Sequence, residues 1–253
     1  MQNSLPWTGA APITCLIKRS EVLKKSWVLR WKPVCGSTDI ELSRWLKQKP
    51  LSVNNPRAFL TGRQSHGRGQ RGRIWDSPLG GVWLSAAMTC DVSVKSAGLF
   101  GLAVAVALSN RLERSLIPVQ IKWPNDLLVN GKKIAGLLPR VFSRGQEANF
   151  LSLGIGLNVC NHVPKGGISL LKCSGKKNIS TLKWSLEVLL AIEQAKMLLL
   201  DPKHLCKEGE KFLWAKQIKK SQSNEIWDVE GLDLDGKLRV SRGFIKENWN
   251  RWE

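Results

Sequence analysis

Asn130-Gly131 sits between two runs, QIKWPNDLLV and KKIAGLLPRVF, in which apolar residues alternate. A two-residue type I′ turn needs positive φ at both central positions, which Asn and Gly accept at low cost, so the pair predicts a β-hairpin and an antiparallel sheet. The alternating run NFLSLGIGLNV follows at once and adds a strand. In the tail, IWDVEGLDLDGKLRV repeats the pattern around Asp235-Gly236.

Elsewhere the period changes from two to that of a helix. Gly36-Ser37-Thr38 precedes DIELSRWLKQK, in which Ile40, Leu42, Trp45 and Leu46 fall mostly on one helical face. Ser37 or Thr38 is the expected cap and Pro50 the expected stop. Arg57-Ala58-Phe59-Leu60 and GVWLSAAMT read as strands. A long helix is expected from Ser96 through about Leu116, a second from Leu182 to Leu200 stopped by Pro202, and a third near Leu205 to Lys216. The first 35 residues read as an irregular or short-strand lead-in. The expected fold is α+β: a mixed, largely antiparallel central sheet with helices over residues 1–220, then a small β domain over 221–253.

With 43% hydrophobic residues the chain can build a core, despite 39 Lys and Arg against 20 Asp and Glu and a net charge of +19. That balance excludes a disordered polyelectrolyte and points to an anionic partner: nucleic acid, a membrane surface or a small anion. The longest apolar stretch, Ala97 to Leu108, is too short to span a membrane. The first cations follow the apolar part of the N-terminus, the reverse of an export signal, so a cytoplasmic protein is expected. Six scattered cysteines form no C-x-x-C pair and have no histidine at zinc spacing. They read as reduced thiols, with no metal site expected.

The charge is unevenly spread. Arg57 to Arg73 holds five arginines and no acid, and Asn161 to Lys220 holds twelve lysines against five acids. In the first stretch, Gln64-Ser65-His66-Gly67-Arg68-Gly69-Gln70-Arg71-Gly72-Arg73-Ile74-Trp75 interleaves glycines with guanidiniums. Such a loop suits a phosphate or carboxylate, and the alternative is a basic surface loop that binds nothing in particular. It is neither a Walker loop nor a dinucleotide fingerprint. Lys122 in Lys122-Trp123-Pro124-Asn125-Asp126 stands at a strand end beside a proline that restricts its neighbour, where it can neutralise a reacting phosphate or simply be solvated. Gly154 and Gly156, two apart in a strand with Asn158 beyond, fit a ligand lying against the backbone or tight packing. The histidines have no catalytic partner at recognisable spacing.

In this order the motifs resemble the catalytic domain of the biotin protein ligases. The resemblance rests on Gly36-Ser37-Thr38, Gln64-x-x-Gly67-Arg68-Gly69, Arg71-Gly72-Arg73-x-Trp75, Lys122-Trp123-Pro124-Asn125-Asp126, Lys133-Ile134-Ala135-Gly136 and Gly154-x-Gly156-x-Asn158. It covers Ser37 to Asn158 closely and the tail more loosely, where GLDLDGKLRV resembles the family's SH3-like C-terminal domain. It implies a class II synthetase-like fold and a monofunctional enzyme, since the 36 residues before Ser37 are too few for the DNA-binding domain of bifunctional members.

The resemblance further implies that biotin and ATP, with Mg²⁺, form biotinyl-5′-adenylate, and that the biotinyl group passes to a lysine of the biotin carboxyl carrier protein of acetyl-CoA carboxylase. Ser37, Thr38, Asp39, Gln64, Gly67, Arg68, Gly69, Gln70, Lys122, Gly154 and Gly156 are then expected on biotin, and Arg68, Arg71, Arg73, Trp75, Lys122 and Asn158 on ATP or the adenylate. Lys122 and Arg68 are the expected catalytic pair. The functional share of the charge is then Arg57 to Arg73 with Lys122. The lysines of 161–220 either steer an acidic carrier or form plain basic surface. Monomer and homodimer are both open.

Three departures from the family pattern stand out. Asp39 replaces Asn, Gln70 replaces an arginine, which predicts easier escape of the adenylate, and the chain ends soon after Trp249 and Trp252, as in a shortened C-terminal domain. A lipoate-type ligase and a basic nucleic-acid-binding protein are the alternatives. The loop Gly67-Arg68-Gly69-x-Arg71-Gly72-Arg73-x-Trp75 argues against the first, and scattered, core-like tryptophans argue against the second.

Overall fold

The structure, a computed structural model, describes residues 27–220 and 223–250. Most of the N-terminal lead-in and Trp252 lie outside the described residues. The N-terminal part is a seven-stranded sheet in the order β1-β2-β3-β7-β6-β5-β4, built from β1 (Val28–Cys35), β2 (Arg57–Gln64), β3 (Val82–Thr89), β4 (Gln120–Lys122), β5 (Asp126–Val129), β6 (Lys132–Arg144) and β7 (Glu147–Leu157). β1 and β2 run parallel, and every other neighbouring pair is antiparallel. The expected mixed, largely antiparallel sheet is present. The predicted turn is there too, with φ of 50° at Asn130 and 70° at Gly131.

Helices cover the sheet on both faces. One face holds α1 (Thr38–Gln48), whose Leu42 and Trp45 pack with Cys35, Phe59 and Ala87. The other carries the main core, with α2 (Val94–Ala97), α3 (Phe100–Arg114) and α5 (Thr181–Leu198), while α4 (Leu170–Ser174) leads in. Every residue of α3 from Phe100 to Ser109 is buried, because its alanines and Gly101 let the helix lie close against strand side chains such as Pro139.

Two helix ends differ from expectation. The helix expected from Ser96 begins earlier, because Ser93 Oγ accepts from Ser96 N, and it is interrupted at Leu99, where ψ is 0°. Pro202, expected only as a stop, opens α6 (Pro202–Lys211). A proline at the first helical position loses no hydrogen bond, and Asp201 Oδ1 caps the helix by accepting from His204 N. Ser37 occupies the cap position of α1 without a side-chain cap bond.

A four-stranded sheet follows, in the order β11-β10-β9-β8, from β8 (Gln217–Lys219), β9 (Ile226–Leu232), β10 (Leu238–Arg242) and β11 (Ile245–Trp249). It takes in Gln217–Lys219, ahead of position 221. Gly236 has a φ of 73° in the turn between β9 and β10. Among the described residues no helix is long and apolar enough to cross a membrane.

Candidate functional site

Two adjoining cavities open over the middle of the large sheet. The smaller, about 60 Å³, is lined by Ser37, Thr38 and Asp39 at the start of α1, by Gln64, Arg68, Gly69 and Gln70, and by Gly154 and Gly156 of β7. The larger, about 730 Å³, is lined by Arg71, Arg73, Lys122 and Asn158, with the loop Pro164–Gly167 on its rim. Gly69, Gln70, Trp75, Asn125, Asp126 and Lys133 line both cavities, so the two are continuous.

At the closed end of the small cavity a hydrogen-bond chain fixes each polar group. Gln64 Oε1 accepts from Thr38 N at 2.8 Å and from Thr38 Oγ1 at 3.1 Å, while Gln64 Nε2 donates to Ser77 Oγ at 2.8 Å. Thr38 Oγ1 and Ser85 Oγ lie 2.8 Å apart, and Ser77 Oγ donates to the carbonyl of Trp75 at 3.1 Å. This end of the pocket therefore presents amide and hydroxyl groups already oriented, the arrangement that reads a neutral polar ligand. Ser77 and Ser85 were not singled out from the sequence. Ser85 has 0% exposure in an otherwise apolar strand. A lone serine inside GVWLSAAMT was the available signal, since a buried hydroxyl needs a partner.

The glycine-arginine loop is held by its own backbone. Trp75 N donates to Gly67 O at 2.9 Å and Gly69 N to Arg73 O at 2.8 Å, with a short 3₁₀ turn over Gln70–Gly72 at the tip. Arg68, Arg71 and Arg73 project as exposed side chains, Arg68 toward the small cavity and the other two toward the large one. Gly67 lines neither cavity. A Cβ there would lie 2.4 Å from the Trp75 carbonyl, so its place is to let the two arms of the loop meet.

Trp75 spans the floor. A Cβ added at Gly156 would lie 2.2 Å from Trp75 Nε1, and one at Gly136 would lie 3.0 Å from the ring, so these glycines seat the indole on the sheet. Lys133 Nζ stands 4.9 Å from the Trp75 ring centroid and 2.7 Å from Asp126 Oδ1. Lys133, Asn125 and Asp126 were present in the sequence motifs but were not assigned to the site. Asn125 is locked into β6: its Nδ2 donates to Leu137 O at 2.9 Å and its carbonyl accepts from Leu137 N.

Lys122 reaches the large cavity only, with Nζ 5.6 Å from the Trp214 ring centroid. It is expected where biotin's carboxylate meets the α-phosphate; β4 is the last strand of the sheet, and Lys122 pairs there with Asp126, which lines both cavities. Asn158 is buried, with Nδ2 3.4 Å from Lys133 O and Oδ1 accepting from Asn161 Nδ2 at 3.0 Å. Arg57, counted with the functional charge, lies elsewhere. It is 4% exposed, donates to the carbonyls of Lys49 and Pro50 beyond the end of α1, and stacks on Trp45. Burial, with Arg30 nearby, pushes its pKa down. The loop arginines carry the cationic character of the site without it.

With the fold and the two cavities in place, residues 38–158 match the family described as Biotin/lipoate A/B protein ligase family. The chain is 37% identical over 99 residues to the bifunctional ligase/repressor BirA of Bacillus subtilis, covering 38% of this chain and 30% of that protein. It is 32% identical over 134 residues to the biotin–[acetyl-CoA-carboxylase] ligase of Paracoccus denitrificans, covering 52% and 55%. These matches therefore span about a third to a half of the curated relatives' lengths. Among solved structures, biotin protein ligase from Aquifex aeolicus in complex with biotin and ATP is 25% identical, with a TM-score of 0.70 over 91% of this chain and 97% of that one.

Proposed function

We propose that this protein is an ATP-dependent biotin protein ligase that joins biotin to a lysine of the biotin carboxyl carrier protein of acetyl-CoA carboxylase through biotinyl-5′-adenylate. The observation that carries the proposal is the continuity of two unlike cavities: one ends in the neutral Thr38–Gln64–Ser85 network, and the other carries Arg71, Arg73, Lys122 and Lys133. A ureido ring suits the first and a triphosphate the second. The carboxylate that links them chemically would then lie at the shared residues.

In the first step a biotin carboxylate oxygen attacks the α-phosphorus, the bond to the β-phosphate breaks, and pyrophosphate leaves. In the second, the amine of the carrier lysine attacks the acyl carbon and AMP leaves. Both reactants of the first step are anions. The chain's contribution is to hold them together and offset their repulsion, with Lys122 at a strand end and the loop arginines facing it. Arg68, on the small-cavity side, would hold the carboxylate end. Trp75 and Asn158 would border the nucleotide. Asp76 and Asp126, the latter paired with Lys133, line the larger cavity and would help to hold a Mg²⁺, which would supply charge neutralisation to the phosphates.

Resemblance to structures holding biotin with ATP favours biotin over lipoate as the acyl substrate. Biotin-dependent exchange of labelled pyrophosphate into ATP tests the proposal, with Lys122→Ala as the variant. Exchange by the wild type and a fall of about 100-fold or more in the variant is the expected result. No biotin-dependent exchange by the wild type would overturn the ligase assignment, and undiminished exchange by the variant would overturn the role of Lys122.

A further inference from the structure

A carboxylate stands in the wall of the small cavity. Asp39, in the first turn of α1, lines it beside Ser37 and Thr38, and Oδ2 of Asp39 meets Nη1 of Arg140 at 2.8 Å. Arg140 comes from β6. Along that strand Gly136, Leu138, Arg140 and Phe142 alternate onto one face, so the guanidinium follows directly on the cavity floor. Arg140 does not line the small cavity. It lines a third one of about 650 Å³, whose wall includes Leu46, Leu51, Phe142 and Phe150, and which Asp39 does not reach. The ion pair is thus a partition, with its anion facing the small cavity and its cation facing the apolar groove behind.

We infer that the Asp39–Arg140 pair is a side wall of the ring pocket and a specificity-determining element of the site. This rests on the biotin assignment proposed above. A ureido N–H can donate to a carboxylate, but an unpaired charge in the wall keeps its water and resists desolvation by a neutral bicyclic ring. Paired with Arg140, the same carboxylate presents a nearly neutral wall that also separates the pocket from the groove. Removing Arg140 exposes the charge and opens the pocket at once. Neither residue lines the large cavity that holds Lys122, so the expected effect is on biotin affinity and not on the chemical step.

The test compares wild type, Arg140→Ala and Asp39→Asn/Arg140→Gln. Biotin Kd is measured by titration calorimetry, biotin KM and kcat by pyrophosphate exchange, and Tm by thermal melting. Arg140→Ala is expected to raise Kd and KM about tenfold with kcat within about twofold. The double variant, with no net charge at either position, is expected to regain most of that loss. Because both side chains are partly exposed, Tm is expected to move little. An unchanged biotin Kd in Arg140→Ala, or a double variant no better than the single, overturns the inference. Tight biotin binding by the wild type without pyrophosphate exchange overturns the ligase assignment alone, and the Kd series still decides the role of the wall.

Discussion

The indole Nε1 of Trp123 donates to the backbone carbonyl of Gly236 at 2.9 Å, tying the strand-end lysine motif to the turn of the small C-terminal sheet. A second tie runs beside it, since Ile121 N donates to Phe212 O and Trp214 N to Ile121 O. On either side of Lys122, Trp123 is therefore fastened to the small sheet and Ile121 to the segment that leads into it. Trp123→Phe keeps the ring and removes the donor. Its expected effect is a several-fold lower kcat for pyrophosphate exchange with biotin KM little changed; an unchanged kcat would show that the contact does not position Lys122.

Ser85 offers a cleaner probe of the small cavity than Gln64 does, because its change to alanine removes one oxygen from a buried, close-packed place. Ser85→Ala leaves Thr38 Oγ1 with Gln64 as its remaining partner. Biotin KM is expected to rise about five- to fiftyfold at nearly constant kcat, the signature of lost uniform binding. A fall in kcat with unchanged KM would place Ser85 outside the ligand site.

Gln70 lines both cavities from the tip of the arginine loop. Gln70→Arg adds a cation at the proposed adenylate site, so release of biotinyl-adenylate into solution, followed by trapping with hydroxylamine, is expected to slow. Equal release by wild type and variant would remove the proposed link between this departure and adenylate retention.

Arg57 reads differently in structure than in sequence, and the difference can be weighed. Arg57→Ala leaves carbonyls beyond the end of α1 unpaired and uncovers Trp45, so unfolding free energy is expected to fall by about 2–4 kcal/mol in urea titration. Exchange activity measured well below Tm is expected to persist, which would separate Arg57 from Arg68 and Arg73.

The thiol of Cys206 is 4% exposed, and burial pushes its pKa up to about 11. The folded value lies above that of an unfolded thiol, so the neutral group's contribution to stability is present below about pH 8.5 and is lost as the pH rises toward 11. Alkylation by iodoacetamide at pH 8 is expected to spare Cys206 in the folded protein and to reach it in urea; rapid labelling of the native state would contradict its burial.

The elements most legible in the sequence were those with a local cause. Asn130-Gly131 needed only its two φ angles, and the strands around it only their alternation. Pro202 was misjudged because a proline both ends one helix and begins another, and only Asp201 ahead of it separates the two cases. Arg71 was visible because its charge stands beside glycine, Trp75 because its bulk closes the glycine-arginine run, and Lys122 because it precedes Trp123-Pro124 at a strand end. Ser85, Lys133 and Arg140 were less so. Each gains its place from a strand pairing or from a helix arriving from far along the chain, and no short window of sequence contains that information. Arg57 was drawn into the site by its position in an arginine-rich run, whereas its own strand points it at the end of α1.

The seat of Trp75 on Gly136 and Gly156 also limits how the sequence can change over time. A methyl at position 156 cannot be accommodated while an indole lies 2.2 Å from where it would stand, and a smaller ring at position 75 would leave a hollow over two glycines. Position 156 is therefore free to vary only after position 75 has changed, and a lineage that loses the tryptophan first would find the glycine no longer obligatory.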